Sequence, residues 1–197
     1  MRRAELERST KETQIRVAID LDGSGRTEIA TPLPFFDHML DALGRHSLID
    51  LKIEARGDVQ VDGHHTVEDT GLCLGQAVRQ ALADRRGIRR YGESSLPMDE
   101  ALARVAIDLG GRSAFVYQAG LLKGRRVGSF DAELAREFFA GFAASALCNL
   151  HMEVPYGENA HHILEALFKA FARALRSAVA VDPREPNVPS TKGTLTA

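Results

Sequence analysis

The segment R16-V-A-I-D-L21 recurs letter for letter as R104-V-A-I-D-L109. Three more pairs of similar segments follow in the same order along the chain: F35-F36 with F138-F139, L51-K-I-E-A55 with L150-H-M-E-V154, and D62-G-H-H-T-V-E-D69 with N159-A-H-H-I-L-E-A166. The distance between copies ranges from 88 to 103 residues, so only loop lengths differ. A unit of roughly 85 residues is too long for one solenoid repeat. The sequence therefore predicts that the chain consists of two copies of one structural unit.

Each copy shows the same succession of periodic patterns. In the first copy we predict strands at 13–21, 26–30 and 48–55, a helix from Pro34 to about Gly44, and a long helix at 64–83. In the second copy we predict strands at 102–109, 113–119 and 149–154, with helices at 131–147 and 161–180. The segment 57–61 is a candidate for a further strand. The predicted fold class is α+β, with two β-β-α-β-α halves whose sheets pack on a central layer of helices.

We place the first half at residues 1–92 and the second at 93–181, followed by a C-terminal tail at 182–197. The tail contains three prolines and no periodic apolar pattern, so its composition alone predicts disorder. The segment 120–128 is basic, but it lacks the Gly-Lys-Ser/Thr ending of a phosphate-binding loop.

Composition excludes several classes of protein. The chain has 197 residues, 44% hydrophobic and 26% charged, with a net charge of −2. This is ordinary for a globular domain and gives no general attraction to nucleic acid or anionic membranes. No apolar run approaches the length of a bilayer span, and the N-terminus lacks a signal-peptide core. Cys73 and Cys148 lie in apolar stretches typical of buried thiols in a reducing compartment, although one disulfide is an alternative. We expect a cytoplasmic protein.

The repeated histidine pairs carry the chemistry. His64 and His65 precede Glu68, and in the second copy His161 and His162 precede Glu165. Adjacent side chains on a helix point about 100° apart, so a histidine pair suits two different ions better than one. Each glutamate lies three and four residues after its histidines, on the same helical face. The pattern predicts metal ligands in both halves.

The two copies differ at two further histidines. His38 aligns with Gly141, and His151 aligns with Lys52, so each half has one extra candidate ligand. Eight ligands divide into two sets of four, each with positions open for substrate or water. Nitrogen and oxygen sites of this kind suit manganese or iron(II) better than tetrahedral zinc. The structural alternative is histidines on a polar helix end, which is how we interpret the unmatched His46.

The chain resembles the imidazoleglycerol-phosphate dehydratase family over nearly its whole length. The matching landmarks, in chain order, are R8-S-T-K-E-T13, F35-F-D-H-M-L40, D62-G-H-H-T-V-E-D69, R90-Y-G92, M98-D-E-A101, D108-L-G-G-R112, N149-L-H151, G157-E-N-A-H-H162, E165-A-L-F-K-A-F-A-R-A-L175 and P189-S-T-K-G193. Asn149 stands where the family usually has threonine, and Ala160 where an acidic or small polar residue is common. Neither position is a predicted ligand.

The resemblance implies a lyase that uses two Mn²⁺ per subunit to convert imidazole glycerol phosphate into imidazole acetol phosphate in histidine biosynthesis. It also implies a homo-oligomer of 24 subunits with active sites between subunits. The ligand count agrees with this chemistry, because two metals match the two ring nitrogens of a substrate imidazolate. An imidazolate can expel the neighbouring hydroxyl and acidify the adjacent C–H for removal by a carboxylate or a metal-bound group.

Residue roles follow from the resemblance. It assigns acid/base catalysis and substrate binding to Glu12, which by itself would pass for a surface glutamate. It assigns Glu68 and Glu165 a catalytic role as well as a role as metal ligands. Phosphate contacts are assigned to residues whose donors suit an anion: Arg90, Arg112, Ser190 and Lys192. Without the resemblance, Arg90 would be a helix-end cation, Arg112 a surface turn residue, and the last two part of a disordered tail.

Three other functions remain open from the residues alone. A dinuclear metallohydrolase would use the same ligands with a bridging hydroxide, although such sites often use bridging aspartates. A metal-storage or metal-stapled shell would need neither phosphate-binding arginines nor a specific Glu12. A nucleic-acid binder would need a basic face or an aromatic platform, and the sequence has neither.

Overall fold

The computed structural model describes residues 2–195. Its first half contains three strands, a helix, a strand and a second helix: β1 (Arg3–Ser9), β2 (Thr13–Asp20), β3 (Thr27–Ala30), α1 (Pro34–Ser47), β4 (Asp50–Gly57) and α2 (His64–Leu82). The second half repeats this order with a short hairpin inserted before its first helix: β5 (Tyr91–Met98), β6 (Ala101–Asp108), β7 (Ala114–Gln118), β8 (Arg126–Val127), β9 (Phe130–Asp131), α3 (Leu134–Ala146), β10 (Asn149–Tyr156) and α4 (Ala160–Val179).

The two four-stranded sheets have the same topology. Their strand orders are β1-β2-β4-β3 and β5-β6-β10-β7, each with antiparallel pairs except for one parallel edge strand. The register is also repeated, because Arg16 of β2 faces Glu54 of β4 just as Arg104 of β6 faces Glu153 of β10. The α+β fold class and the duplication are therefore confirmed.

Each half begins with an edge strand that the sequence did not predict. The segments R3-A-E-L-E-R-S9 and Y91-G-E-S-S-L-P-M98 contain no β-branched residue, so their propensity is low. They become strands because they pair along β2 and β6. The candidate strand at 57–61 is wrong: β4 ends at Gly57, and Val61 donates a backbone hydrogen bond to Asp58 in a turn, with 68% of its surface exposed.

The helices form the central layer and cross between the halves. Helix α1 packs against α4 and α3 packs against α2, while α2 lies on β1 and β2 and α4 lies on β5 and β6. Helices α2 and α3 approach closely at Gly71, where an added Cβ would lie 2.2 Å from the Phe138 carbonyl oxygen. The core of this layer is aromatic, and its buried rings are Phe36, Phe138, Phe139, Phe142, Phe168 and Phe171. None of the helices within residues 2–195 is long and apolar enough to cross a membrane.

The tail is ordered as far as Leu195, so the disorder expected from its composition is wrong for 182–195. It runs along the segment that joins the halves, where Gly87 accepts from the Asp182 amide and donates to the Asn187 carbonyl, both at 2.9 Å. The buried Arg85 donates to the Leu195 carbonyl oxygen at 2.6 Å. These tertiary hydrogen bonds hold a segment that has no regular pattern of its own. Thr196 and Ala197 lie outside the described residues.

Candidate active site

Helix capping places the histidine pairs in the first turns of the two long helices. Asn159 caps α4 by accepting a hydrogen bond from the His161 amide at 2.9 Å. The Asp62 carboxylate accepts from the His64 amide at 2.8 Å at the start of α2. Short polar side chains at these positions satisfy amides that a helix start leaves unpaired. The capped ends hold the histidines at the rim of the helical layer, where solvent reaches them.

Three predicted ligands from both halves meet in one cluster. His38 of α1 and His161 and Glu165 of α4 offer ligand atoms that all lie within 4.8 Å of one another. The Glu165 Oε2 atom is 3.1 Å from His161 Nε2 and 3.7 Å from His38 Nε2. Within residues 2–195, no other group of three such side chains is this close. The crossing of α1 over α4 is what brings His38 to the second-half ligands.

This cluster fits a divalent metal. Two imidazole nitrogens and one carboxylate oxygen are suitable donors for manganese or iron(II), and they already converge on one space. Burial is the largest single influence on Glu165 and opposes its ionisation. The hydrogen bond from Lys169 Nζ at 2.6 Å to Glu165 Oε1, the Lys169 charge and the contacts with His38 and His161 together outweigh it and lower the pKa of the carboxyl. Glu165 is therefore held as a carboxylate with Oε2 facing the histidines. The Phe35 ring packs edge-on against His161 at 5.1 Å between ring centroids.

Among residues 2–195, the corresponding place in the first half has two candidate ligands. His64 Nε2 lies 3.8 Å from Glu68 Oε2 across one turn of α2. The position equivalent to His38 is Gly141 of α3, where an added Cβ would lie 2.8 Å from the Glu68 carbonyl oxygen. The first half therefore has neither a third side chain nor the room for one at this point.

The second histidine of each pair is oriented by a carboxylate. His65 Nδ1 lies 3.1 Å from Asp58, and His162 Nδ1 lies 2.7 Å from Glu100. These hydrogen bonds raise the pKa of both histidines. A ligating histidine typically uses its other ring nitrogen to donate to a carboxylate in this way. Both rings thus have Nδ1 engaged by the protein, which leaves Nε2 as the nitrogen for a ligand.

His151 does not join the other predicted ligands. It lies on β10 between the buried Leu150 and Met152, so its side chain points away from the helical layer. Its register neighbours on that outer face are Ala106 and Val116. In a single chain, His151 is separated by the sheet from the helix ends that carry the remaining candidates.

Glu12 lies in the turn between β1 and β2, close to the first-half histidines. Its Oε2 atom is 4.0 Å from His65 Nδ1, and its backbone carbonyl accepts from the Asp58 amide at 3.1 Å. Glu100 lies 88 residues later and occupies the equivalent turn between β5 and β6. The two glutamates therefore approach equivalent histidines, His65 and His162, from equivalent turns.

The predicted phosphate contacts gather beside the tail. Arg90 is bidentate to Asp108, at 2.7 Å and 3.0 Å, and donates to the Pro189 carbonyl at 2.9 Å. Ser190 follows directly, and its Oγ accepts from the Lys192 amide at 3.2 Å. Arg112 lies in the turn after β6, where its carbonyl accepts from the Asn149 side chain. These cations and donors lie near one end of the second sheet.

The metal ligands and the phosphate candidates lie at opposite ends of that sheet. Arg90 directly precedes Tyr91 at the start of β5. Tyr91 pairs with Asp108 of β6, and Asp108 pairs in turn with Asn149, the first residue of β10. The histidines of α4 follow Tyr156, the last residue of β10. Eight residues in a strand span roughly 23 Å at about 3.3 Å per residue. One chain therefore does not bring its metal ligands and its phosphate contacts to the same small substrate.

The residues that support the predicted ligands carry weaker signals in the sequence than the ligands themselves. Asp58 lies in none of the motifs, whereas Lys169 lies within E165-A-L-F-K-A-F-A-R-A-L175, four residues after Glu165 on the same helical face. Glu100 does have a signal, because the duplication places it 88 residues after Glu12. Aligning the two halves at their identical hexapeptides is enough to pair these glutamates.

Comparisons with known proteins agree with the fold and the motifs. The family model described as imidazoleglycerol-phosphate dehydratase matches residues 31–175. The chain is 57% identical to the imidazoleglycerol-phosphate dehydratase of Azorhizobium caulinodans, covering 99% of both chains. It is 54% identical to that of Geobacter metallireducens, covering 98% of this chain and 99% of the relative.

Solved structures with these names share the fold. The crystal structure of imidazoleglycerol-phosphate dehydratase from Staphylococcus aureus superposes with a TM-score of 0.82 at 37% identity, covering 91% of this chain and 99% of that one. The structure from Pyrococcus furiosus gives 0.83 at 35% identity, covering 96% of this chain and 100% of that one. Sequence and structure thus match along nearly the full length.

Proposed function

Because this chain belongs to the imidazoleglycerol-phosphate dehydratase family, it is an enzyme, a hydro-lyase of histidine biosynthesis, and we propose that it works at a two-manganese site shared between subunits. Its substrate is a small phosphorylated molecule. The proposed reaction removes water from imidazole glycerol phosphate and yields imidazole acetol phosphate. The observation that carries the metal part of this proposal is the convergence of His38, His161 and Glu165.

The proposed ligands are the four histidines and two glutamates of the repeated motifs, together with His38 and His151. His38, His161 and Glu165 would hold one ion, and His64 with Glu68 would contribute to the other. His65 and His162 would use Nε2, since their Nδ1 atoms face Asp58 and Glu100. A manganese ion held by these residues would supply Lewis-acid polarisation to the substrate ring, which would favour its imidazolate form.

Side chains of this protein handle the remaining steps. The Glu12 carboxylate, exposed in its turn beside His65, is the group proposed to take the proton from the carbon next to the departing hydroxyl. Glu68 and Glu165 are the alternative carboxylates. Arg90, Arg112, Ser190 and Lys192 would bind the phosphate and thereby fix the position of the carbon chain.

The distances within one chain support a site shared between subunits. The phosphate candidates and the α4 histidines lie at opposite ends of β10, and His151 projects from the outer face of the sheet. An imidazole, three carbons and a phosphate are much too short to span that length. We therefore propose that neighbouring subunits complete each site, in an assembly of 24 subunits as the resemblance implies.

Metal analysis combined with a dehydratase assay tests the metal proposal. We expect about two manganese ions per chain after loading, and loss of both metal and turnover after treatment with a chelator, with recovery on adding Mn²⁺ back. Turnover that survives complete removal of metal would contradict the proposed site. The acid/base role is tested separately by Glu12→Gln, which should lower kcat by about 10²–10⁴-fold while metal content is unchanged.

A further inference from the structure

We propose that Asp69 is a positioning residue that, through Thr13, fixes the turn carrying Glu12. This inference rests on the acid/base role proposed for Glu12. Asp69 follows the candidate ligand Glu68 directly on α2, but it points inward and is only 7% exposed. Its carboxylate is therefore a buried charge that requires partners.

The partners of Asp69 come from the strands on either side of the Glu12 turn. The Thr13 hydroxyl donates a short hydrogen bond to Asp69 Oδ2, and Arg8 Nε donates to Asp69 Oδ1 at 3.0 Å. Thr13 is 2% exposed, so its hydroxyl cannot turn to water instead. Arg8 lies on β1 and Thr13 begins β2. One carboxylate on α2 thus holds both arms of the hairpin.

A chain of hydrogen bonds continues from Thr13 to the Glu12 backbone. The Thr10 and Thr13 hydroxyl oxygens lie 3.2 Å apart, and because Thr13 donates to Asp69, Thr10 is the donor between them. Thr10 Oγ1 in turn accepts from the Glu12 amide at 3.1 Å and from the Thr13 amide at 2.9 Å. Hydrogen bonds connected in series polarise and strengthen one another. The backbone of Glu12 is therefore set by a network that ends on Asp69.

The duplication provides an internal comparison. At the positions equivalent to Arg8, Thr10, Thr13 and Asp69, the second half has apolar residues: Leu96, Met98, Ala101 and Ala166. The equivalent glutamate, Glu100, is instead held by its own carboxylate, which accepts from the Glu158 and Asn159 amides at 3.1 and 2.7 Å and contacts His162. Among the described residues, the polar network therefore occurs in the half whose glutamate carboxylate accepts no hydrogen bond, while the Glu100 carboxylate accepts several.

This difference has a chemical consequence. A glutamate whose carboxylate accepts hydrogen bonds from two amides and contacts a histidine is poorly available for proton transfer. Within residues 2–195 the Glu12 carboxylate accepts no hydrogen bond and has only a 4.0 Å ion-pair contact with His65 Nδ1, so its placement depends mainly on its backbone. Misplacement of a reacting group by about 1 Å can cost on the order of 10²-fold in rate. Anchoring the turn to the helix that carries Glu68 keeps Glu12 in register with the metal ligands.

The test compares three threonine variants of the metal-loaded assembly. Thr13→Val removes the donor to Asp69 but keeps the shape, and we expect kcat to fall by about 10–100-fold, with KM within about twofold and metal content unchanged. Thr13→Ser restores the hydroxyl and should restore kcat. Thr70→Val is the matched control, because Thr70 is also buried on α2 but donates only to the Thr66 carbonyl of its own helix.

Combination with Glu12→Gln shows whether the effect passes through Glu12. In that background Thr13→Val should lower kcat no further, since the group it positions is already gone. The inference is overturned if Thr13→Val has the same kcat as the Thr70→Val control. It is also overturned if Thr13→Val lowers kcat by the same factor in the Glu12→Gln background as in the unmodified enzyme. Normal kcat in Glu12→Gln alone would instead overturn the acid/base assignment itself.

Discussion

The rings of His38 and His161 lie 5.7 Å apart between centroids, although the two residues come from opposite halves of the chain. The first half contributes His38 from α1, and the second contributes His161 from the first turn of α4. Each long helix packs against the shorter helix of the other half, so a cluster of candidate metal ligands from both halves follows from the way they cross.

Loss of His38 should weaken one metal site and leave the other intact. His38→Ala removes one of three converging candidate ligands. We expect the affinity for one ion per chain to fall by at least about 10–100-fold, because mutation of a residue that merely hydrogen-bonds to a ligand typically has an effect of that size. Titration calorimetry with Mn²⁺ on the metal-free assembly would measure it. His46→Ala is the control, since His46 belongs to neither motif, and it should bind both ions normally. Equal weakening in both variants would contradict the cluster.

A shared active site predicts recovery of activity when two inactive variants are mixed. His38→Ala and His151→Ala alter ligands that lie apart within one chain. If neighbouring subunits complete each site, co-assembled variants contain some sites with every ligand present, and part of the activity should return. The measurement is dehydratase turnover after dissociation and joint reassembly, compared with each variant reassembled alone. Activity that stays at the level of the separate variants would place each site within one subunit.

The tail is predicted to contribute to phosphate binding through Lys192. Its ammonium would make a charge-assisted hydrogen bond to phosphate, so Lys192→Ala should weaken substrate binding by roughly 1.5–3 kcal/mol, which is about 10–150-fold in KM. Steady-state kinetics would measure the change. Lys123→Ala, in the basic turn before β8, removes the same charge elsewhere and should leave KM unchanged.

Truncation of the tail would remove structural contacts as well as the proposed phosphate contacts, which its composition alone does not reveal. Removing 189–197 also removes the Pro189 carbonyl bound by Arg90 and the Leu195 carbonyl bound by the buried Arg85. Arg85 would keep its hydrogen bond to the Ala146 carbonyl, but loss of the Leu195 acceptor by a buried guanidinium costs stability, so lost activity in a truncated chain would not identify a substrate contact.

The close approach of α2 and α3 predicts a stability effect at Gly71. A Cβ there would meet the Phe138 carbonyl at 2.2 Å, and backbone in a packed helix pair cannot yield cheaply. We expect Gly71→Ala to lower the free energy of unfolding by about 1–3 kcal/mol, despite the better helix propensity of alanine. Denaturant unfolding would measure this. Gly120→Ala, where a Cβ meets nothing within 4 Å, should be neutral.

The sequence by itself determined the duplication, most strands and helices, and the identity of the candidate ligands. These are local or periodic properties: R16–L21 repeats as R104–L109, and alternation or helical spacing marks each element whose inner face is buried. The two edge strands lacked that signal, because a strand exposed along one edge needs no β-branched residues and depends on its partner for pairing.

Only the tertiary structure decided which residues act together. The helix crossing placed His38 beside Glu165, while the sheet separated His151 from the same group and placed Arg90 at its far end. Likewise, Asp69 acquired its partner Thr13 only when distant segments packed, whereas Lys169 meets Glu165 one turn away on the same helix. Sequence spacing determines which residues meet within one helix or hairpin. The packing of whole helices and sheets determines the distances between segments far apart in the chain, and this packing brings the candidate site residues together.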